Sequence, residues 1–434
     1  MGGTEHPTAG FSQLELDVEK PAPLQPVEGA PPRRRCARVQ RGLTLCAVAL
    51  VVAAACVGVG AGLGWVSRGS PPPPDDHVSG RAFSKLAFGS CARAELPQPF
   101  WRPIAESRPD VFVFAGDIVY GDCEEKSCAP LDEAWSTLGT HPDFAFARAS
   151  GLPIVGMLDD HDNGRNDAGQ SNPFRNYAKA KFLEFFGVPA NDVWRRREGL
   201  YRSQLYEGRT ADGEVRVTQL LLLDVRSART PAWTAATAPG PGHERYQPEE
   251  GVRSLETSML GARQWAWLEG QLRTPADLRI VVSTIQVFLS GDRHVGALYK
   301  YRPENHTSTT AQWRPNQSVL PGGISQPEPA PPSPLASVYE LTSSSLTHSF
   351  ACTAELPCGL EPGPMRTAHP LVHENNWGEL SVDWVGRTLA LRLRAASEGG
   401  GGGRALGDAL LEVEVGFDEL GMPLLAHELF IHCS

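Results

Sequence analysis

Four apolar runs in this chain end in residues that ligate metals or move protons. Lys85-Leu-Ala-Phe-Gly-Ser-Cys91 ends on a thiol. Val111-Phe-Val-Phe-Ala-Gly-Asp117 ends on a carboxylate, with Tyr120 three residues later. Pro153 to Leu158 runs into Asp159-Asp160-His161-Asp162, and Arg279 to Leu289 runs into Ser290-Gly-Asp292-Arg-His294. Carboxylate, imidazole, phenolate and thiolate together suit a trivalent or borderline cation, and an all-oxygen neighbouring site suits Ca, Mg or Mn. An Asp set between two cations can bridge them, and metals about 3.5–4 Å apart clamp the attacking and leaving oxygens of a phosphoryl transfer. A histidine titrating near neutrality is the natural acid for an alkoxide leaving group, and His161 is the candidate. Arg93 and Arg226 carry guanidinium groups suited to bidentate phosphate binding, an ordinary ion pair being the rival reading for each. Asn166 offers a further oxygen, although Asn/Asp-rich turns are common.

Such groups act together only if the chain brings them together. Continuous β-branched and aromatic runs suit strands buried on both faces, and open α/β sheets place ligands at the carboxyl ends of such strands. One Gly-Asp turn reads as an ordinary loop, whereas four polar strand ends converge on one sheet edge. Helices are expected near Phe100–Ser107, between Leu131 and Ser150 (broken at Gly139 and Pro142), from Pro173 to Phe186, and from Met259 to Leu272. Trp265 and Trp267 read as core. Val215–Asp224 reads as a strand entering a sheet interior. Ser337–Thr342, Leu380–Trp384, Thr388–Leu393, Leu410–Phe417 and Leu424–Ile431 alternate like antiparallel strands. Strands alternating with helices indicate an α/β fold whose sheet is covered by helices.

The net charge of −10 over 434 residues disfavours nucleic acid as a partner. Residues 42–67 contain no charged side chain and follow Arg33, Arg34, Arg35, Arg38 and Arg41. That pattern predicts a signal anchor crossing the membrane once, residues 1–41 forming a disordered cytoplasmic tail and the remainder facing a cell surface, lumen or periplasm. A cleaved signal and a lipid anchor at Cys56 are the alternatives. A Pro-rich linker over 68–80 then leads into a domain spanning 81–434. Cys123/Cys128 and Cys352/Cys358 read as disulfide pairs, since neither has zinc-type spacing. Asn305 and Asn316 begin glycosylation triplets.

Gly116-Asp117-Ile-Val-Tyr120, Asp159-Asp160-His161 and Ser290-Gly-Asp-Arg-His294 resemble the blocks of the dimetal phosphatases of the calcineurin-like and purple-acid-phosphatase-like metallophosphoesterase superfamily. Phe88-Gly-Ser-Cys91, the stretch Asp160–Asp167, Leu223-Asp224-Val-Arg226 and Leu260–Trp265 narrow the resemblance to the alkaline phosphatase D type (PhoD-like) family, across roughly 83–390. The resemblance implies a four-layer αββα sandwich with helices outside. It also implies a dinuclear centre of Fe3+ and Ca2+, with Mn, Mg or Zn as substitutes. Cys91 and Tyr120 match ligands of the ferric ion, Asp117 the bridging carboxylate, Asp160 a ligand of the second cation, and Asp292 with His294 the last metal block. His161 matches the histidine that protonates the leaving oxygen. The implied activity is hydrolysis of phosphate mono- or diesters by attack of metal-bound water or hydroxide. Thr342–His348 and Asn375-Asn376 also resemble the family, without an assigned role.

The pattern breaks in one place. The family separates the strand matching Ile280–Val287 from Ser290-Gly-Asp-Arg-His294 by a long crossover, and here Gln286 is followed almost at once by Phe288. Parallel neighbours need a crossover of about a dozen residues. Either one strand of about ten residues replaces two, or the sheet is one strand short. A non-catalytic or impaired surface module that keeps the fold is therefore the competing expectation.

Overall fold

The computed structural model describes residues 75–123, 127–230, 259–285, 294–301, 337–349, 371–398, 404–420 and 427–432, all within the unit Ser70–Ser434. The expected tail and membrane segment, together with Asp292, Asn305, Asn316, Cys352 and Cys358, lie outside the described residues. Among the described residues no helix is long and apolar enough to cross a membrane.

In chain order the elements are β1 (Asp76–Arg81), β2 (Lys85–Gly89), α1 (Trp101–Glu106), β3 (Val111–Ala115), α2 (Ala129–Thr140), α3 (Pro142–Ala149), β4 (Ile154–Met157), α4 (Arg175–Phe185), α5 (Val193–Arg196), β5 (Arg202–Arg209) and β6 (Val215–Leu222). They continue with α6 (Gly261–Gln271), β7 (Leu278–Ser283), β8 (Gly296–Tyr301), β9 (Val338–Ser343), β10 (Asn376–Asp383), β11 (Thr388–Ala395), β12 (Ala409–Gly416) and β13 (His427–His432). The expected helical break falls at His141, whose extended backbone separates α2 from α3 and whose Nδ1 accepts the Asp143 amide. Of the range 68–80 read as a linker, the described residues from Asp76 onward belong to β1 (Asp76–Arg81), which pairs in parallel with β5.

The strands form two sheets, one of seven strands in the order β1-β5-β6-β7-β13-β9-β8 and one of six in the order β12-β11-β10-β2-β3-β4. β3 shows why they stack. Its Val111, Val113 and Ala115 join Leu86 and Phe88 in a core shared with Leu220, Leu222, Ile280, Val282 and Leu341 of the other sheet. Its Phe112 and Phe114 join Trp101, Leu131, Phe144 and Phe182 under α1–α4. Leu221 and Val281 pack against Leu268 of α6 on the far side. Each phenylalanine so buried is worth about 1.5–3 kcal/mol. The two-sided burial read from the sequence is thus what places β3 between helices and a second sheet, in an α/β sandwich. Trp265 departs from its expected core position, being 47% exposed on α6.

β2, β3 and β4 are parallel and joined by helical crossovers, as are β6 and β7. Two expectations are corrected in the neighbouring region. β7 ends at Ser283, so it does not run on to Leu289, and β8 is a separate strand at the sheet edge, antiparallel to β9. The place beside β7 is taken by β13, which is parallel to both β7 and β9 rather than antiparallel. A strand from much later in the chain thus lies between β7 and β9.

Candidate metal centre

The carboxyl ends of both sheets meet at one edge. Thr284, just past β7, donates its hydroxyl to Asp159 Oδ1 (2.8 Å), just past β4. Ser90, past β2, lies against the Ser343 carbonyl, and the Leu346 amide donates back to the Ser90 carbonyl (3.0 Å). Gly116 sits at this seam with φ +94°, and a Cβ there would come within 2.6 Å of the Asp159 Cβ. Only glycine fits, so the turn after β3 delivers Asp117 directly to the edge.

Cys91, Asp117 and His294 each offer one ligand atom, and these lie within 4.8 Å of one another. Asp117, Asp160 and His161 form a second such group, so Asp117 belongs to both. The backbones of Cys91 (φ 60°), Asp117 (φ 47°) and His294 (φ 44°) are all left-handed. For non-glycine residues that conformation costs roughly 1–3 kcal/mol each, and it persists only where the surrounding structure over-determines it, as it does at active sites and ligand clamps. The Tyr120 hydroxyl donates to Asp117 Oδ2 (3.1 Å), and the Cys91 thiol is 3.8 Å from the same oxygen.

The electrostatics of this cluster favour a cation. Asp117 and Asp160 are fully buried. Burial pushes the Tyr120 phenol far above its ordinary range, and the neighbouring Cys91 and Asp117 charges push it the same way. Burial and the facing His348 bring His294 down to about 3. Burial also opposes ionisation of Asp160, but Arg226, His161 and the Asp167 amide outweigh it and hold the carboxyl at about 2. Asp160 Oδ1 is buried and accepts no hydrogen bond. The same oxygen lies 3.4 Å from Arg226 Nη2, an ion pair without a hydrogen bond, and a cation among these ligand atoms would give it a direct partner. The residues present fit a metal pair sharing the Asp117 carboxylate: thiol, phenol and imidazole (Cys91, Tyr120, His294) on one side of it, carboxylate and imidazole (Asp160, His161) on the other.

His161 is held by a residue the motif reading passed over. Its Nδ1 lies 3.0 and 3.2 Å from the two Asp122 oxygens, and its ring lies 4.3 Å from that of Tyr120. Burial alone would lower the imidazole. The Asp122 hydrogen bond and the charges of Asp160, Asp122 and Asp162 outweigh it and raise the group above its ordinary value. The Cys123–Cys128 disulfide, which forms as expected, anchors the residue next to Asp122. Asp122 could have been noticed from its place two residues beyond Tyr120; nothing in the sequence pointed to its partner. His348 also belongs here. Its Nε2 is 3.3 Å from the Tyr120 hydroxyl, its Nδ1 is 3.0 Å from Thr347 Oγ1, and its ring lies 4.2 Å from that of His294.

Of the two readings for Arg226, phosphate binding and an ion pair, the structure shows the ion pair. Its guanidinium is buried against Asp159, with Asp160 at 3.4 Å and Asp167 at 3.9 Å. It therefore holds the carboxylate-bearing turn rather than presenting itself to a substrate. Its own turn is fixed by Asp224, which accepts the Arg226 and Ser227 amides (3.0 and 2.8 Å). Gln264 of α6 then exchanges two amide hydrogen bonds with the Asp224 backbone (2.9 and 2.6 Å). This explains why the Leu223–Arg226 and Leu260–Trp265 motifs occur together. Removing one partner of a buried ion pair leaves the other charge uncompensated, at about 3–5 kcal/mol. Arg226→Ala should lower unfolding stability in urea by that order, and a loss under about 1 kcal/mol would show the cluster to be loosely coupled.

Arg93 lies above the cluster, its guanidinium 4.7 Å from the Tyr120 ring centroid and half-exposed. Asn166 is exposed, with its amide donating to Asp167 Oδ2 (3.2 Å), on the loop flanking the site. Asp162 links the two central turns by accepting the Ile118 amide (2.9 Å) and the Asp159 amide (2.8 Å).

Over 81 residues the chain is 37% identical to "Probable inactive purple acid phosphatase 14" of Arabidopsis thaliana. The match covers 18% of this chain and 18% of that relative's length. No family model matches. That similarity supports kinship at the level of the metallophosphoesterase superfamily. Together with the two ligand groups that share Asp117, it suggests a dinuclear metal site.

Proposed function

We propose that this chain is a metal-dependent phosphoesterase of the PhoD-like type, acting on phosphate mono- or diesters outside the cytoplasm and anchored through residues 42–67. The observation that carries the reading is the sharing of Asp117 between two ligand groups. Cys91, Tyr120 and His294, with Asp117, would hold one cation. The thiol and phenol suit a ferric ion there, and Asp292 of the same motif joins the set in this reading. Asp117 and Asp160 would hold the second, for which calcium is the first choice and Mn, Mg or Zn are substitutes. When bound, the metal pair supplies Lewis-acid polarisation of the phosphoryl group and activation of a water molecule. The chain's own groups do the rest. Arg93, whose guanidinium lies over the Tyr120 ring, would meet phosphoryl oxygens. His161, whose imidazole the Asp122 carboxylate raises above its ordinary value, would be the proton donor to the departing alcohol oxygen.

A second reading is a module that keeps the fold and the metals but not turnover. It is favoured by the break between β7 and β8, and the name of the Arabidopsis relative describes that protein as probably inactive. One preparation separates the two. The full chain is purified, its metal content measured, and hydrolysis of aryl phosphate mono- and diesters followed before and after chelation. Two metals per chain and hydrolysis abolished by chelation are expected. Two metals without hydrolysis would sink the first reading, and absence of bound metal would sink both. A visible tyrosinate-to-iron absorption lost in Tyr120→Phe would identify the ferric ion.

A further inference from the structure

Two motifs of the sequence, Thr342–His348 and Asn375-Asn376, supply no member of the ligand groups, yet both converge on the turn that carries Cys91. The Leu346 amide donates to the Ser90 carbonyl (3.0 Å), the Thr347 amide to the Cys91 carbonyl (3.3 Å), and the Arg93 amide to Thr347 Oγ1 (2.9 Å). On the other side the Asn375 side-chain amide donates to the Thr347 carbonyl (2.9 Å) and the Asn376 backbone amide to the Ser345 carbonyl (2.8 Å). The segment after β9 is thus held along both edges, and two of its side chains reach ligand atoms.

Ser344 is fully buried, and its hydroxyl has one partner among the described residues, Cys91 Sγ at 3.4 Å. Most side-chain hydrogen bonds go to backbone or water. Ser90 Oγ has that alternative, lying 3.3 Å from the same sulfur and 3.5 Å from the Ser343 carbonyl. Ser344 has only the sulfur. A hydroxyl carries one proton and a thiolate has none to give, so Ser344 is the donor once Cys91 is ionised. His348 repeats this relation on Tyr120. Its Nε2 lies 3.3 Å from the phenol oxygen, whose one proton is directed to Asp117 Oδ2 (3.1 Å). The nitrogen facing that oxygen must then carry a proton itself. The Thr347 hydroxyl, with the Cys91 carbonyl as its other acceptor (3.1 Å), can donate to His348 Nδ1 (3.0 Å), which leaves the ring proton on Nε2.

We infer that Ser344 and His348 are positioning residues of the metal centre, donating hydrogen bonds to the Cys91 thiolate and the Tyr120 phenolate when these hold a ferric ion. The inference rests on the reading of Cys91 and Tyr120 as ligands of one cation. Hydrogen bonds to anionic ligands draw electron density from them, and so orient the ligands and tune the ion. Without these donors the thiolate and phenolate bind Fe3+ more strongly. The reduction potential then falls, and the phenolate-to-iron transition moves to lower energy.

The full chain is loaded with ferric iron, and its iron content, visible absorption and reduction potential are measured. His348→Ala should keep the wild-type iron content while its phenolate-to-iron band moves to longer wavelength. His348→Gln, which retains an N–H donor, should return the band towards the wild-type position. Ser344→Ala should lower the potential with iron retained. Ser349→Ala, which removes a hydroxyl of the same segment that donates to the His373 carbonyl (2.9 Å), should change neither. His348 is only partly buried, so its variants keep the test valid if Ser344→Ala fails to fold. An unmoved band in His348→Ala, or an unchanged potential in folded Ser344→Ala, would overturn the inference and leave the ferric site standing. So would loss of iron from His348→Ala, which would make His348 a ligand. A wild-type chain that takes up no iron and shows no band would overturn the ferric reading itself, and the inference with it.

Discussion

Replacing Asp117 by Asn should remove both metal ions together and reduce hydrolysis to background. The carboxylate is fully buried and is the common member of two ligand groups whose other members, Cys91 with His294 and Asp160 with His161, come from different loops. Asn has the same shape but no negative charge, so neither cation would keep its shared ligand. The fold should survive, because the Tyr120 hydroxyl and the Cys91 thiol can still donate to the amide oxygen. Elemental analysis of the purified variant is the check. Retention of one metal per chain would mean that Asp117 serves a single site and that the centre is not bridged there.

The second large effect belongs to His161. His161→Ala should lower kcat by about 10²–10⁴ for alkyl phosphates, the usual contribution of a positioned proton donor. Aryl phosphates should lose far less, because a stable phenolate departs without a proton. Metal content should not change. This last measurement matters because a ring nitrogen of His161 also lies within 4.8 Å of the Asp117 and Asp160 ligand atoms. Loss of the second metal in His161→Ala would make the residue a ligand and defeat its assignment as the acid. Asp122→Asn should move activity in the same direction more weakly. Its carboxylate raises the imidazole, so without it His161 deprotonates at lower pH. A group that must be protonated to act then fails earlier, and the alkaline limb of the kcat profile should shift to lower pH. An unshifted limb would mean that Asp122 only braces the loop.

A shortened crossover predicts either a fused strand or a gap, and both threaten the edge that carries Thr284 and His294. The sheet instead closes through β13, in register with Ser283 on one side and Thr342 on the other at His432. The hydrogen bonding of β7 and β9 is therefore maintained on that side despite the short connection, and Thr284 still reaches Asp159.

The sequence by itself determined the pieces of the site and the elements that carry them. Continuous apolar runs ending in Cys91, Asp117 and Asp160 specified buried parallel strands, because a strand covered on both faces has no polar alternation. The Gly116-Asp117 junction specified the turn, since only glycine tolerates the approach to Asp159. What the sequence left open was every relation between distant segments. The pairing of His161 with Asp122, the placing of His348 against Tyr120, and the burial of Arg226 among Asp159, Asp160 and Asp167 come from loops 39 to 228 residues apart or between. The same holds for β13, whose alternation was visible while its two parallel partners were not. Local residue pattern decides whether a segment is strand or helix and which of its faces is apolar. Which strand lies beside it, and which carboxylate meets which cation, is decided by how the layers pack.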